Sequence, residues 1–96
     1  MIILAVTWIA NPGSEAEVAE NFRKLQAASR EEAGCLMYVV HRHKTDARRF
    51  FIYEQYRDDL ALQQHHDSPH FHQYASLALK EKGVRTEGEL YLPLGD

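Results

Sequence analysis

Between Ile2 and Ile9 both alternating sets of positions are apolar, with Ile2, Leu4, Val6 and Trp8 on one side and Ile3, Ala5 and Ile9 on the other. A run of that kind predicts a β-strand with both faces covered. Asn11-Pro12-Gly13 then marks a turn. Ser14 and Glu17 have capping-box spacing, and Val18, Phe22, Leu25 and Ala28 or Ser29 follow at helical spacing. The pattern predicts a helix to about Glu31 or Glu32, stopped by Gly34. Cys35 to His43 and Arg49 to Tyr56 read as two strands joined through the polar Lys44-Thr45-Asp46-Ala47, a hairpin.

Asp58 or Asp59 can cap a short helix to about His66. Ser68-Pro69 restarts the helix, with Ser as N-cap and Pro at the first helical position, and Phe71, Tyr74, Ala75 and Ala78 extend an apolar stripe to about Leu79. Lys80-Glu81-Lys82-Gly83 ends it, and Val84 to Leu92 predicts a last strand stopped by Pro93. The order βαββαβ predicts an α+β, ferredoxin-like fold: a four-stranded antiparallel sheet with helices on one face, as a single domain over residues 1–96. Two helices cover only one face of such a sheet. Yet the first strand is apolar on both, and so is much of the second, with Leu36, Tyr38 and Val40 against Met37 and Val39. The uncovered face predicts a homodimer in which a second copy packs sheet on sheet.

Composition narrows the class. Hydrophobic residues make up 45% and charged residues 26%, as in ordinary globular domains. The net charge of −3, with basic residues dispersed, leaves no footprint for nucleic acid. Cys35 is the only cysteine, which rules out an intrachain disulfide and fits a reducing compartment. The apolar start lacks a basic flank and a small-residue cleavage site, so it reads as a strand rather than a signal peptide or membrane span. The cytoplasm is the expected location.

Candidate chemistry centres on the run from Phe50 to Tyr56, where Glu54 shares a strand face with Ile52 and Tyr56. A carboxylate in an apolar strand needs a partner, because an unpaired buried charge is costly. His65 and His70, one short helix later, can supply it. Two readings stay open for each. Glu54 either orients or deprotonates a histidine or hydrogen-bonds a core imidazole or the next helix. His65 is either a general base titrating near neutrality or a helix C-terminal cap; His70 is either a proton-handling group or an exposed first-turn residue.

Six histidines raise the question of a metal. His41 and His43 share a strand face and His70 and His72 share no helix face, while no Cys, Asp or Glu stands at a recognisable ligand spacing. No metal site is predicted, and His66 and His72 are placed in solvent. Tyr53 and Tyr56 point to opposite faces, so at most one lines a given pocket. Arg42, Lys44, Arg48 and Arg49 gather around the hairpin, either to hold a substrate phosphate or carboxylate or as a solvated end. Cys35 reads as a small buried hydrophobe.

Three motifs taken together resemble a known family: Glu32-Ala33-Gly34-Cys35 entering the second strand, Phe51-Ile52-Tyr53-Glu54-Gln55-Tyr56 entering Asp58-Asp59, and His65-x-x-Ser68-Pro69-His70-Phe71. They are similar to the antibiotic biosynthesis monooxygenase domain of the dimeric α/β-barrel superfamily, which includes quinol monooxygenases. The resemblance covers nearly the whole chain and is specific for the family, not for one reaction. It implies a homodimeric barrel with a pocket between sheet and helices in each subunit. It also implies a cofactor-free monooxygenase acting on a small quinol-like or dihydroxy-aromatic substrate with dioxygen. On the same resemblance His65 is the base assisted by Glu54, His70 is a further catalytic candidate, and Trp8, Tyr38, Phe51, Tyr53, Tyr56 and Phe71 are walls. The chain departs from antibiotic-pathway members, which often carry Asn and Trp where Ile52 and Tyr56 stand, and from haem-degrading relatives at Trp8 and Ser76. The motif also occurs in an isomerase of phosphorylated autoinducer-2. The alternatives are therefore an isomerase of a small phosphorylated carbonyl compound, with Arg48 or Arg49 holding the phosphate, and a non-catalytic small-molecule-binding dimer.

Overall fold

Strand β1 (Ile2–Ala10) is the sheet's inner axis, paired antiparallel with β3 (Arg49–Tyr56) on one side and β4 (Gly83–Tyr91) on the other. Strand β2 (Cys35–Arg42) adds to the outer edge of β3, giving the order β2-β3-β1-β4. The structure, a computed structural model, describes residues 1–95. The sheet is antiparallel throughout and its helices are α1 (Glu15–Ser29), α2 (Asp59–Asp67) and α3 (Pro69–Phe71). Among the described residues this is the ferredoxin-like α+β arrangement.

Period-two alternation decides which face is core. Leu4, Val6, Trp8 and Ala10 of β1 and Phe50, Ile52, Glu54 and Tyr56 of β3 are buried beneath the helices. From α1, Val18, Phe22 and Leu25 press onto them, each contributing about 1.5–3 kcal/mol by burial. Phe22 links the layers, meeting Trp8 edge-on at 5.7 Å and Phe50 at 5.3 Å between ring centroids.

The chain departs from its local patterns at three places. Ser14 makes no side-chain cap; its backbone is already helical, and its carbonyl accepts from the Val18 amide at 2.9 Å. Helix α1 ends at Ser29, and Glu32 sits in the turns that follow, closed by Glu32 N–H to Ser29 O and Cys35 N–H to Glu32 O. A bulge between Cys35 and Met37 sets Cys35 opposite Tyr56 and leaves Leu36 half in solvent, out of the alternation that Tyr38 and Val40 keep.

Asp58 is the cap of α2, accepting from the Ala61 amide at 2.8 Å. Ser68 caps α3 with Pro69 at its first turn, and the chain then widens into a π-helical turn over His72–Leu77 rather than continuing as a regular helix to Leu79. The opposite face of the sheet has no helix on it. Ile3, Ala5 and Ile9 are half-buried there, and Met37, Phe51, Val84 and Tyr91 are exposed. No helix of the described residues is long and apolar enough to cross a membrane.

Candidate active site

Helix α2 turns two buried residues toward the sheet, Ala61 and, one turn later, His65. Ala61 is small enough for the turn after α1 to lie directly against it. A Cβ on Gly34 would fall 2.4 Å from the Ala61 Cβ, so this approach requires glycine. That contact holds the turn carrying Glu32 over α2. The Glu32 carboxylate thereby meets His65, its Oε2 lying 2.8 Å from Nδ1. The same oxygen is 2.5 Å from Nε2 of His70, which the Ser68 cap presents from α3.

His65 is almost wholly buried, its ring packed by Tyr38, Tyr56 and Phe71 at centroid distances of 5.5, 5.2 and 5.2 Å. Burial holds its pKa below the ordinary histidine value, against the opposing pull of Glu32. The ring is therefore neutral at pH 7. With Nδ1–H donating to Glu32, Nε2 is left as an acceptor, and it faces Glu54 Oε1 at 3.8 Å.

Glu54 stands on the other side of that ring. The Tyr56 hydroxyl donates to its Oε1 at 2.5 Å. Burial pushes the Glu54 carboxyl up to about 7, with Glu32 adding to the rise and Tyr56 and Arg85 opposing it. The Tyr56 hydroxyl is driven upward by burial and by the Glu54 charge, so it remains a donor.

Glu54 forms part of the wall of a cavity of about 130 Å³ between sheet and helices. Trp8, Tyr38 and Phe71 line it with Leu4, Val6, Phe22, Leu25 and Ile52, while His66 and Arg85 bring polar edges. That volume is close to the roughly 150 Å³ of an engineered apolar cavity that takes up benzene, so it suits one six-membered ring. A larger cleft of about 390 Å³ between α1 and β2, lined by Arg23, Gln26, His41 and Arg42, is open and holds none of these acid–base groups.

The expected site residues take different places around this cavity. Glu54, rather than His65, faces the cavity, and His65 lies behind it. His70 is not an exposed first-turn group; it is partly buried against Glu32 and away from the cavity wall. Phe51 and Tyr53 point to the helix-free face and do not line this cavity, and Tyr56 touches Glu54 from behind. His66 is exposed, as the sequence led us to expect, yet one side of its ring packs on Phe71 at 5.0 Å and borders the cavity, and this partial burial lowers its pKa. Arg48 is engaged by the Ala10 carbonyl at 2.7 Å. Arg49 lies five residues of strand from Glu54, about 17 Å. Cys35 is half-buried rather than a core residue, and its thiol is pushed up to about 11, by burial first and then by Glu32 and Glu54.

The sequence reading missed Glu32, which reaches His65 and His70 across 33 and 38 residues. These three side chains offer donors within 4.8 Å of one another, a set that can hold a metal ion. Their spacing is that of hydrogen bonds, however. Donors around a tetrahedral ion, at bond lengths near 2.0–2.1 Å, stand about 3.3 Å apart.

A family model for antibiotic biosynthesis monooxygenase matches residues 1–77. The structure of PA3566 from Pseudomonas aeruginosa is 33% identical, over 94% of this chain and 88% of that one, with a TM-score of 0.82. A variant of SnoaB, a cofactor-independent oxygenase from Streptomyces nogalater, superposes with a TM-score of 0.83 over 99% of this chain and 94% of that one. At 17% identity that likeness is one of fold. The protein sll1783 of Synechocystis sp. is 35% identical over 46 residues, 48% of this chain and 31% of that protein, so the match spans under a third of this relative.

Proposed function

We propose, from the premise that the chain belongs to the antibiotic biosynthesis monooxygenase family, that it is a cofactor-independent monooxygenase of a single-ring quinol or related dihydroxy-aromatic compound, with Glu54 as its general base. The observation that carries this is a carboxyl group with a pKa near 7 set in the wall of an apolar cavity of one-ring size. A base poised at neutrality can take a phenolic proton and remain deprotonated often enough to turn over. The ring, once anionic, is the electron donor to dioxygen, so the protein needs to bind it, remove the proton and stabilise the negative charge. Arg85 and the Tyr56 hydroxyl stand beside Glu54 as the groups that favour negative charge there. SnoaB, described as a cofactor-independent oxygenase, has the same fold.

The isomerase reading loses support from the placement of Arg48 and Arg49 away from Glu54, although Arg85 keeps one cation at the cavity. A homodimer is part of the same proposal. The helix-free sheet face, with Phe51, Met37 and Tyr91 exposed, is the surface a second copy covers.

The test is dioxygen uptake by metal-stripped protein with single-ring hydroquinones and catechols beside dihydroxynaphthalenes, wild type against Glu54→Gln. Uptake above autoxidation on the single-ring compounds, lost in the variant at retained folding, supports the assignment. Uptake equal in both proteins removes Glu54 from the chemistry; uptake that never exceeds the blank removes the oxygenase.

A further inference from the structure

Glu54 meets the cavity on one side and the buried ring of His65 on the other. Behind it the side chains of His65, Glu32 and His70 form a line that leads from the core toward the surface. Glu54 is 5% exposed, His65 1%, Glu32 16% and His70 21%, so the sequence of contacts runs from the cavity to the surface. Two junctions join groups able to carry protons: a 3.8 Å contact from Glu54 Oε1 to His65 Nε2, then a 2.8 Å hydrogen bond from His65 Nδ1 to Glu32 Oε2. The first gap closes to a hydrogen bond with a shift of about 1 Å. The two ring nitrogens of His65 thus face two different carboxyl groups, one on each side of the core.

We propose that His65 and Glu32 form a proton relay that connects the base Glu54 to solvent, with His70 holding Glu32 in line. This rests on the reading of Glu54 as the base. A proton taken from the substrate hydroxyl leaves its O–H bond and forms one on Glu54. Glu54 then protonates His65 at Nε2 as His65 releases its Nδ1 proton to Glu32, and Glu32 exchanges it with water. His65 is left with its proton on Nε2. The reverse flow, when reduced oxygen takes up protons to leave as water, returns the ring to its starting tautomer. The buried ring, packed by Tyr38, Tyr56 and Phe71, has no room to turn over and does not need to. His70 donates Nε2–H to the same Glu32 oxygen and fixes where the carboxylate sits. Glu32 and His70 touch no part of the cavity; Glu32 takes the proton from His65, and His70 is a positioning residue that acts through Glu32.

The test separates the two steps without using oxygen. Anaerobic stopped-flow mixing with 4-nitrocatechol, a one-ring dihydroxy-aromatic whose phenolate is coloured, reports proton removal. A fluorescent pH indicator in weak buffer reports the proton's arrival in solvent. In Glu32→Gln the amide oxygen still accepts from His65 Nδ1–H but cannot carry a proton onward. The relay predicts that in this variant proton release lags phenolate formation at least tenfold, whereas in wild type the two coincide. It also predicts that added formate restores release in Glu32→Ala. Release that keeps pace with phenolate formation in Glu32→Gln overturns the relay and leaves Glu54 as base. A phenolate signal that survives in Glu54→Gln, or never forms in wild type, overturns the base and the relay with it. Equal slowing of both steps in Glu32→Gln assigns Glu32 a structural role and overturns the relay alone.

Discussion

Replacing Glu54 by Gln keeps the side chain's size and an oxygen for the Tyr56 hydroxyl, but removes the group that titrates. In the folded protein the Glu54 carboxyl is raised from 4.5 to about 7, chiefly by burial. Below its unfolded pKa Glu54 is protonated in both states and costs nothing. As pH rises through the folded value, the native state must ionise a buried group that the unfolded chain ionises freely in water, and stability is lost. The penalty grows from about 1 kcal/mol at pH 5 to about 3 kcal/mol at pH 8, taking 1.36 kcal/mol for each pH unit between the two pKa values. Glu54→Gln escapes it. The variant should therefore gain about 2 kcal/mol on wild type between pH 5 and pH 8, while losing activity. Urea denaturation of both proteins at the two pH values, at matched concentration because any dimer couples to folding, measures this directly. A difference between the proteins that does not change with pH would refute a neutral-range carboxyl at this position, and with it the choice of Glu54 as base.

The Tyr56 hydroxyl lowers the pKa of Glu54 by donating to it, so Tyr56→Phe should move the rising limb of the pH–activity profile upward by about one pH unit. An unmoved limb would mean the hydroxyl does not govern the base. Gly34→Ala places a methyl 2.4 Å from the Ala61 Cβ and forces the Glu32 turn off α2. Thermal unfolding should show a loss of about 1–3 kcal/mol, and the His65 imidazole proton bound to Glu32 should broaden in NMR spectra. Phe51→Glu puts a charge in the middle of the helix-free face. Light scattering should show the proposed dimer in wild type and monomers in the variant at micromolar concentration, and a dimer unchanged by the substitution would place the interface elsewhere.

Alternation along the strands was enough to place the sheet and its core face, because a half-buried strand can hide only every second residue. Ile52, Glu54 and Tyr56 fell together on that reading, and they are together in the core. What alternation does not carry is everything decided by contacts across the chain. Glu32 reads locally as the polar end of a helix; it becomes a partner of His65 only because Gly34 lets the turn lie on Ala61. Leu36 follows the pattern of its neighbours in sequence but not in space, since a bulge shifts it by one residue. Phe51 and Tyr53 attract attention as aromatics beside Glu54, yet a strand separates odd from even positions and sends them to the other face.

The same geometry explains why a buried histidine and two carboxylates coexist in so small a core. One carboxylate alone would draw His65 toward its charged form and fix it as an ion pair. Here burial opposes that pull, leaving a neutral ring whose Nδ1–H satisfies Glu32 and whose Nε2 remains free to accept. Glu54 is neutralised by its own burial near pH 7 instead of by pairing with His65. Glu54 is thus held within reach of its other protonation state. A core built only for stability would use apolar side chains of the same volume, because ionising Glu54 costs about 3 kcal/mol at pH 8. A cost of that size, beside a cavity that fits one ring, is what the proposed general base predicts.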